Sequence, residues 1–321
     1  MRVNRGFLFW GLGFVTAGLM ALAIQLGYLD RTAMAGAWRL WPVILVAVGL
    51  SLILSRTPLA LLGTVVAALI VGASAGTAIA VGPGFAADCG ELPSTPLQDH
   101  SGTFGRTASL EWQLDCVTLN VATARVSSWR ASVRSTGSKV PSVDGASDHL
   151  DLRSANQGNV PFLDQDRERW LIQLPIATTY QGEIHANGST ATLDLTGSRF
   201  SALTLQPNAA DVVMAVGGAN IEGLDVDLNA GSLSITASPD TSLSGSIQAN
   251  AGSIKLCAPP GTALQITASG TAFGTNLDDS DLAKDGDTWE SAGYPEAANK
   301  ITLTVHGNAA SFDLNPSGGC Q

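Results

Sequence analysis

The four cysteines, Cys89, Cys116, Cys257 and Cys320, have the most readily recognised chemistry in this 321-residue chain. None belongs to a CxxC pair or stands near a histidine at the spacing of a zinc ligand set. All four follow the hydrophobic N-terminal region, and an even number confined to one part of a chain predicts two disulfides. Because disulfides form in an oxidising compartment, this part is expected outside the cytoplasm, with buried free thiols as the alternative.

The sequence contains no recognisable motif for catalysis or for a cofactor. It holds no Gly-x-Ser-x-Gly elbow, P-loop or HExxH motif. A triad assembled from distant parts of the chain is the alternative. We therefore predict a protein that is not an enzyme and binds no cofactor or metal. The histidines, which have no partner at metal or relay spacing, are His100, His149, His185 and His306.

Charged residues after the hydrophobic region are predicted to lie mainly on solvated outer faces. Asp225 and Asp227 face the same way on a strand, and an acid/base pair is the alternative. Arg130 and Arg134 share a strand face with Ser132, which could bind anionic headgroups or wall polymer near a membrane. A run of aspartates could supply calcium ligands, but it does not match EF-hand spacing, and we interpret it as a solvated loop. Its members are Asp278, Asp279, Asp281, Asp285 and Asp287.

The clearest pattern of the sequence is a fixed repeat, which must position most of these side chains. Its period of about 21 residues is typical of a solenoid. Apolar and polar residues alternate within each unit, which predicts strand, turn, strand, turn with one face inward. Asparagine and glycine suit the corners because both tolerate left-handed backbone. The corner asparagines are Asn187, Asn208, Asn229, Asn250 and, after an interruption, Asn308.

The chain after the hydrophobic region is predicted to form an all-β domain of stacked coils at residues 106–316. One unit cannot bury its own apolar row, whereas stacked units share a continuous core. Alternation upstream of the corners indicates extra coils or edge strands. The predicted segments are a linker at 84–105, extra strands within 109–122, 129–134 and 170–174, an irregular acidic loop at 277–295 and a tail at 317–321.

Stacking of the coils also favours one pairing of the cysteines. Cys257 follows the inward Leu256 at the end of a repeat strand, and Cys320 lies six residues past Leu314, which has the position of Leu256 in the terminal coil. Stacked strands lie about 4.8 Å apart, so coils one or two steps removed fall near the Cα separation that a disulfide accepts. We predict Cys257 with Cys320 and, by elimination, Cys89 with Cys116. The other two pairings and free thiols are the alternatives.

Residues 1–83 are predicted to form an N-terminal bundle of three transmembrane helices. Long uncharged stretches there satisfy the apolar length that a helix needs to cross hydrocarbon, and a signal peptide is the alternative for the first. Arg2, Arg5 and Arg56 lie on one side of these spans and Arg31 and Arg39 on the other. The positive-inside rule then places the N-terminus in the cytoplasm and the β-domain outside. The predicted spans are residues 6–28, 38–55 and 58–81.

Small residues within the predicted spans indicate close packing of helix backbones. They recur at Gly13, Ala17 and Ala21 and again at Gly72 and Gly76. Such spacing lets helices approach closely, either inside one bundle or at a dimer seam.

The charge balance argues against nucleic acid as a partner. The net charge is −10 although the first 87 residues carry five arginines and one acid, so the β-domain is strongly acidic. Phosphate backbones repel such a domain. The predicted partners are the lipid bilayer and, through protein contacts, a membrane sensor protein or a second copy of the chain.

Two family resemblances follow from these segments. Residues 5–54, with Gly-Leu-Gly near the start and Arg39-Leu40-Trp41-Pro42 opening the second span, resemble the transmembrane region of LiaI- and LiaF-type bacterial envelope-stress proteins. Residues 170–314 resemble the toastrack, or adhesin-like, β-domain family, whose Gly-Ala-Gly-Asp-like corners here become Asn-Gly-Ser, Asn-Ala-Ala and Asn-Ala-Gly. The resemblance implies a membrane-tethered module that senses or restrains an envelope stress response, with no catalytic residues. A surface adhesin or envelope-polymer-binding module is the alternative.

Overall fold

The structure is a computed structural model that describes residues 5–25, 60–81, 89, 95–134, 140–155 and 167–320. The chain divides into two compact units, a helical unit at Met1–Asp88 and a β unit at Cys89–Gln321. We describe each unit separately.

The described part of the helical unit contains α1 (Arg5–Gln25) and α2 (Ala60–Val81), which pack against each other. A Cβ atom added to Gly72 would lie 2.4 Å from the carbonyl oxygen of Gly13 and 2.9 Å from Cβ of Thr16. Glycine at position 72 therefore lets the two helix backbones touch. The predicted close approach is confirmed for this pair, and the contact lies within one chain.

The three predicted spans have different outcomes. Those at 6–28 and 58–81 overlap with α1 and α2, whereas the span at 38–55 lies outside the described residues. Neither described helix combines the length and the hydropathy that a membrane crossing requires. A bundle of three transmembrane helices is therefore not supported by the described part of the chain.

The β unit consists of short strands in two layers with one hydrophobic core, which buries side chains from both. Neighbouring strands in the first layer are parallel, apart from the pairs at its two ends. In spatial order this layer contains β5 (Ser142–Gly145), β6 (His149–Arg153), β2 (Thr107–Asp115), β8 (Thr179–Asn187), β10 (Arg199–Ala215), β11 (Asn220–Leu228), β13 (Ser242–Ala249), β19 (Ile301–Gly307), β15 (Leu264–Gly270), β18 (Thr288–Glu290) and β17 (Ala283–Asp285).

The second layer is also mainly parallel, with antiparallel pairs at one end. The long strand β10 belongs to both layers, because its first half pairs with β8 and its second half continues into the second layer. In spatial order the second layer contains β1 (Gln98–Gly102), β4 (Trp129–Arg134), β7 (Glu168–Pro175), β3 (Val117–Ala124), β9 (Thr190–Asp194), the second half of β10, β12 (Ala230–Thr236), β14 (Gly252–Cys257), β20 (Ala310–Leu314) and β16 (Gly274–Thr275).

The predicted period equals the sequence separation between residues that pair on neighbouring coils of the stack. Leu203 pairs with Leu224 and Leu233 pairs with Ile254, each one period along the chain. The predicted inward residues are buried, which confirms the stacked, solenoid-like β architecture. They are Val212, Met214, Leu233, Ile235, Ile254, Leu256, Phe312 and Leu314 in the second layer, and Leu203, Leu205, Leu224, Val226, Leu228, Ile247 and Ala249 in the first.

The two ends of the stack depart from chain order. At one end, β2 and β3 lie between the coil of β6 and β7 and the coil of β8 and β9. At the other, β19 and β20 lie between the coil of β13 and β14 and the coil of β15 and β16. The last coil in the sequence is therefore an interior coil of the stack.

Two segments predicted to be irregular contain strands. The acidic stretch 277–295 forms the hairpin of β17 and β18, which pairs with β15, and Leu277 and Trp289 join the core. Short 3-10 turns at Leu277–Asp279 and Tyr294–Glu296 flank it. Strand β1, which pairs with β4, lies within the predicted linker at 84–105. These strands cover one edge of each layer by pairing with β15 and with β4.

Candidate functional site

The cysteines form two disulfides, Cys89–Cys116 and Cys257–Cys320, which confirms the predicted pairing. Their Cα–Cα distances are 5.4 and 5.9 Å, within the usual range for a disulfide. Cys116 occupies the corner between β2 and β3 with a φ of 58°. The first bridge therefore joins the start of the β unit to that corner, and the second joins the C-terminal tail to the end of β14.

The corner asparagines form side-chain contacts between coils. Asn250 Nδ2 donates to Asn229 Oδ1 at 2.9 Å, and Asn308 Nδ2 donates to Asn250 Oδ1 at 3.1 Å. Asn187 Nδ2 donates to Asp115 Oδ1 at 2.8 Å. The Asn208 corner is a bulge within β10, with the left-handed φ of 50° at Ala209. These asparagines are not themselves left-handed, so their amides link coils, as in stacked amide ladders.

The corner glycines allow the closest approach between coils. A Cβ added at Gly252 would lie 2.3 Å from the carbonyl oxygen of Gly231, and one at Gly231 would lie 2.0 Å from that of Ala210. Both glycines also have positive φ, at 144° and 117°. The third position of the Asn-Ala-Gly corner is thus constrained by stacking as well as by backbone conformation.

Three carboxylates from distant parts of the chain lie side by side on the outside of the first layer. Glu111 on β2 is in register with Asp151 on β6 and with Glu183 on β8. We call these three residues the carboxylate row. Asp148 and His149 lie beside it in a groove of about 490 Å³. Such an arrangement attracts cationic groups, because neighbouring strands hold like charges about 4.8 Å apart.

The charges of this groove are partly compensated. Arg153 Nη2 donates to Glu111 Oε1 at 3.2 Å, and His185 Nε2 lies 2.8 Å from Glu183 Oε1. Burial and then the Glu111 charge raise the pKa of Asp151. The hydrogen bond with Asp148 Oδ1, at 3.0 Å from Nδ1, raises the pKa of His149 despite some opposing desolvation. Sequence reasoning missed the row, because only the pairing of β6, β2 and β8 brings it together.

The arginine face of β4 borders a second groove, on the outside of the second layer. Arg130 and Ser132 line it, together with Leu171 on β7, and its volume is about 360 Å³. Ser132 Oγ donates to Asp99 Oδ1 on β1. The predicted shared face of Arg130 and Ser132 is therefore present, with an aspartate beside it.

The other candidate polar residues are dispersed. Asp225 is exposed and accepts a hydrogen bond from Ser246 Oγ at 2.9 Å, whereas Asp227 is half-buried. Asp278 accepts from Lys284 Nζ at 2.7 Å and from Trp289 Nε1 at 3.2 Å, and the lysine hydrogen bond lowers its pKa. Within the described residues, no three His, Cys, Asp or Glu side chains converge as a metal site.

Glu168, which sequence reasoning did not single out, is fully buried at the start of β7. Its Oε1 lies 3.0 Å from Ser154 Oγ and accepts from Ala155 N at 2.9 Å, and its Oε2 accepts from Trp170 Nε1 at 2.9 Å. Burial raises its pKa to about 7 against the opposing effect of these hydrogen bonds. Little in the sequence predicts this burial, because the only indication is that Glu168 lies two residues before Trp170 and so on the same side of the strand.

Comparison with known families concerns the start of the chain. Residues 8–53 match the LiaI-LiaF-like transmembrane region. The sequence resemblance to LiaI- and LiaF-type proteins is thereby confirmed for this segment, which includes α1 from residue 8 onward. No curated protein matches the chain.

Three solved structures are similar to the β unit, at low sequence identity. A candidate cell adhesion protein from Clostridium sporogenes is 15% identical, with a TM-score of 0.46 over 68% of this chain and 98% of that one. A candidate adhesin from Bacteroides fragilis is 11% identical, with a TM-score of 0.25 over 70% and 100%. One from Parabacteroides merdae is 9% identical, with a TM-score of 0.21 over 71% and 99%. Values this low do not transfer a function to this chain.

Proposed function

We propose that the chain is a non-catalytic, membrane-anchored protein of the cell envelope, which acts through protein–protein contacts as a regulatory or scaffold component of envelope-stress sensing. The lipid bilayer holds its N-terminal segment, and the β unit lies outside the cytoplasm. Its protein partner is a membrane sensor protein or a second copy of the chain.

The observation that carries this proposal is a LiaI-LiaF-like transmembrane region followed by a β unit with two disulfides. Disulfides persist in oxidising compartments, which for a membrane-anchored protein means the outer side. A family model that marks residues 8–53 as a transmembrane region supports anchoring.

The exposure of the ionisable pairs supports a non-catalytic role. The His149 and His185 side chains are each 33% exposed, and their carboxylate partners Asp148 and Glu183 are more exposed still. A catalytic acid/base pair works best where water is excluded, because charge effects are larger there. These contacts are therefore open to water, in which such interactions are weak.

Membrane topology is tested by reporter fusions. Three crossings with a cytoplasmic N-terminus place residue 90 outside and residue 56 inside. Alkaline phosphatase, which is active only after export, should therefore be active when fused after Gly90 and inactive after Arg56. The reverse pattern would contradict the proposal.

The role in signalling is tested by co-purification. The full-length tagged chain, extracted in mild detergent after thiol blocking, should retain a second membrane protein in a fixed ratio. A chain with residues 8–53 replaced by an unrelated transmembrane segment is the matched control, and it should lose that partner if the LiaI-LiaF-like region contributes. Binding to isolated envelope polymer, without any membrane partner, would favour an adhesin instead.

A further inference from the structure

Among the described residues, Glu168 is a buried acid with no basic partner on its own side of the strand. Alternation along β7 points Glu168 and Trp170 inward and Arg169 outward. Arg153, at the end of β6, donates to Glu111 on the outer face. On β4, Arg134 is in register with Arg169 and therefore also lies on the outward side. The charged group acting on Glu168 from the corner after β2 is Asp115, which has the same sign and raises its pKa further.

The hydrogen bonds around Ser154 indicate where a proton lies. Ser154 Oγ is 3.0 Å from the carbonyl oxygen of Asp115 and 3.0 Å from Glu168 Oε1. A hydroxyl has one hydrogen to donate, and a carbonyl oxygen can only accept. Both contacts are full hydrogen bonds only when Ser154 donates to Asp115 and the protonated carboxyl of Glu168 donates to Ser154.

These contacts join three parts of the chain at one corner. Ser154 and Ala155 follow β6, Glu168 begins β7, and Asp115 ends β2. Glu168 N also donates to the carbonyl oxygen of Cys116 at 3.0 Å. The same corner therefore carries the disulfide that attaches the start of the β unit.

We propose that Glu168 is a proton-operated latch, which in its protonated form ties the end of β6 to the corner after β2 and to the start of β7, and which loosens this corner when the proton is lost. Ionisation would turn the Ser154 hydroxyl away from Asp115 and place among buried groups an anion that has neutral hydrogen-bond donors but, within the described residues, no basic partner. Such an anion favours states in which water reaches the carboxylate.

The direction of the pH effect follows from the pKa values of the closed and open corner. The pKa of Glu168 is about 7 when buried, against 4.5 for an ordinary glutamate. The closed corner thus binds its proton more tightly than the open corner and is most stable below the lower value. We expect the ratio of open to closed corner to increase about tenfold per pH unit between the lower and the higher pKa and to level off above the higher pKa.

Amide hydrogen exchange in the full chain tests the latch. In detergent, protection of the Ala155 and Trp170 amides, corrected for the intrinsic pH dependence of exchange, should fall as the pH rises from 5 to 7. In Glu168→Gln, which cannot ionise, protection should not depend on pH over this range. Glu183→Gln, the same change at an exposed carboxylate, should keep the parent profile. An unchanged profile in Glu168→Gln, or pH-independent protection in the parent chain, would overturn the proposal.

An infrared titration of the parent chain keeps the test independent of any variant. With isotope-labelled glutamate, a protonated carboxyl band should be present at pH 6 and disappear with a midpoint near 7. Complete ionisation of every glutamate at pH 6 would refute the latch.

Discussion

The middle coils and the first coils of the β unit fill the core in different ways. In the middle, each strand stacks on the strand one repeat further along the chain, and aliphatic side chains recur, such as Leu233 on Ile254. In the first coils, strands distant in the chain alternate, and Trp112, Trp129 and Trp170 are buried. The middle therefore repeats one contact, whereas the first coils fit large rings into an irregular space.

The outer polar rows follow the same division. The carboxylate row of the first coils continues along the layer as Thr204, Asp225 and Ser246 in the middle coils. There, hydroxyls and carboxylates can satisfy one another across the coil spacing, as Ser246 and Asp225 do at 2.9 Å. In this row the middle coils alternate hydroxyls with a carboxylate, whereas the first coils place three carboxylates in register, which is destabilising.

The sharpest way to break the middle coils is to place a charge in their repeated contact. Ile254 is fully buried between Leu233 and Phe312. Ile254→Asp should lower the free energy of unfolding by about 5 kcal/mol, because it buries an unpaired carboxylate and leaves a cavity. Chemical denaturation of the full chain measures this. Lys255→Gln, at the adjacent outward position, should change stability by less than about 0.5 kcal/mol. Similar midpoints for both variants would contradict the inward assignment.

Removing each disulfide compares the first coils, which carry Cys89–Cys116, with the middle coils, which carry Cys257–Cys320. The bridges span 63 residues for Cys257–Cys320 and 27 for Cys89–Cys116. Because a disulfide restricts the unfolded chain, replacing Cys257 and Cys320 by serine should lower the free energy of unfolding by about 4 kcal/mol. Replacing Cys89 and Cys116 by serine should lower it by slightly less. Thermal unfolding with and without reductant provides the measurement. Serine variants that unfold at the temperature of the parent chain would show that neither bridge contributes to stability.

A corner glycine tests the backbone contact between middle coils. Gly252→Ala should cost about 3 kcal/mol, because the new methyl group meets the carbonyl oxygen of Gly231 and the φ of 144° disfavours a side chain. Gly261→Ala is the matched control, since its φ of 89° is also positive but its Cβ would meet open space. It should cost about 1 kcal/mol. Equal losses, again by chemical denaturation, would show that backbone strain alone matters at these corners.

The smallest expected effect concerns the carboxylate row. Glu111→Gln removes the neighbouring negative charge that helps to raise the pKa of Asp151. The pKa of Asp151 should therefore fall while burial keeps it above the ordinary value. Carboxyl NMR titration measures the change, and Glu222→Gln on the exposed face of β11 should leave Asp151 unaffected. A pKa that stays constant in Glu111→Gln would show that the two groups are not coupled.

The sequence predicted the middle coils well because their period and their contacts coincide. One and the same spacing sets both the recurrence of Asn229 and Asn250 and the pairing of Leu233 with Ile254. Alternation likewise marked the buried face in the first coils. It could not show which strands are neighbours, so the position of β2 between β6 and β8 could not be predicted.

Glu168 illustrates the limit for sites. Between Arg167 and Arg169 it has the local sequence of a surface charge, but it hydrogen-bonds with Ser154 and Ala155, which follow β6 earlier in the chain. The carboxylate row depends in the same way on strands far apart in the chain. Alternation in the sequence predicts whether a side chain points inward or outward. It does not predict which distant residues lie beside that side chain, and those neighbours form these sites.

The interior position of β19 bears on how the protein matures. Leu243 on β13 and Leu264 on β15 are one repeat apart in the sequence, and both pair with Ile301 of β19. β19 is synthesised after both of these strands and yet lies between them in the folded chain. The stack therefore cannot be completed in the order of synthesis, because the place between β13 and β15 is filled by a strand that emerges after both.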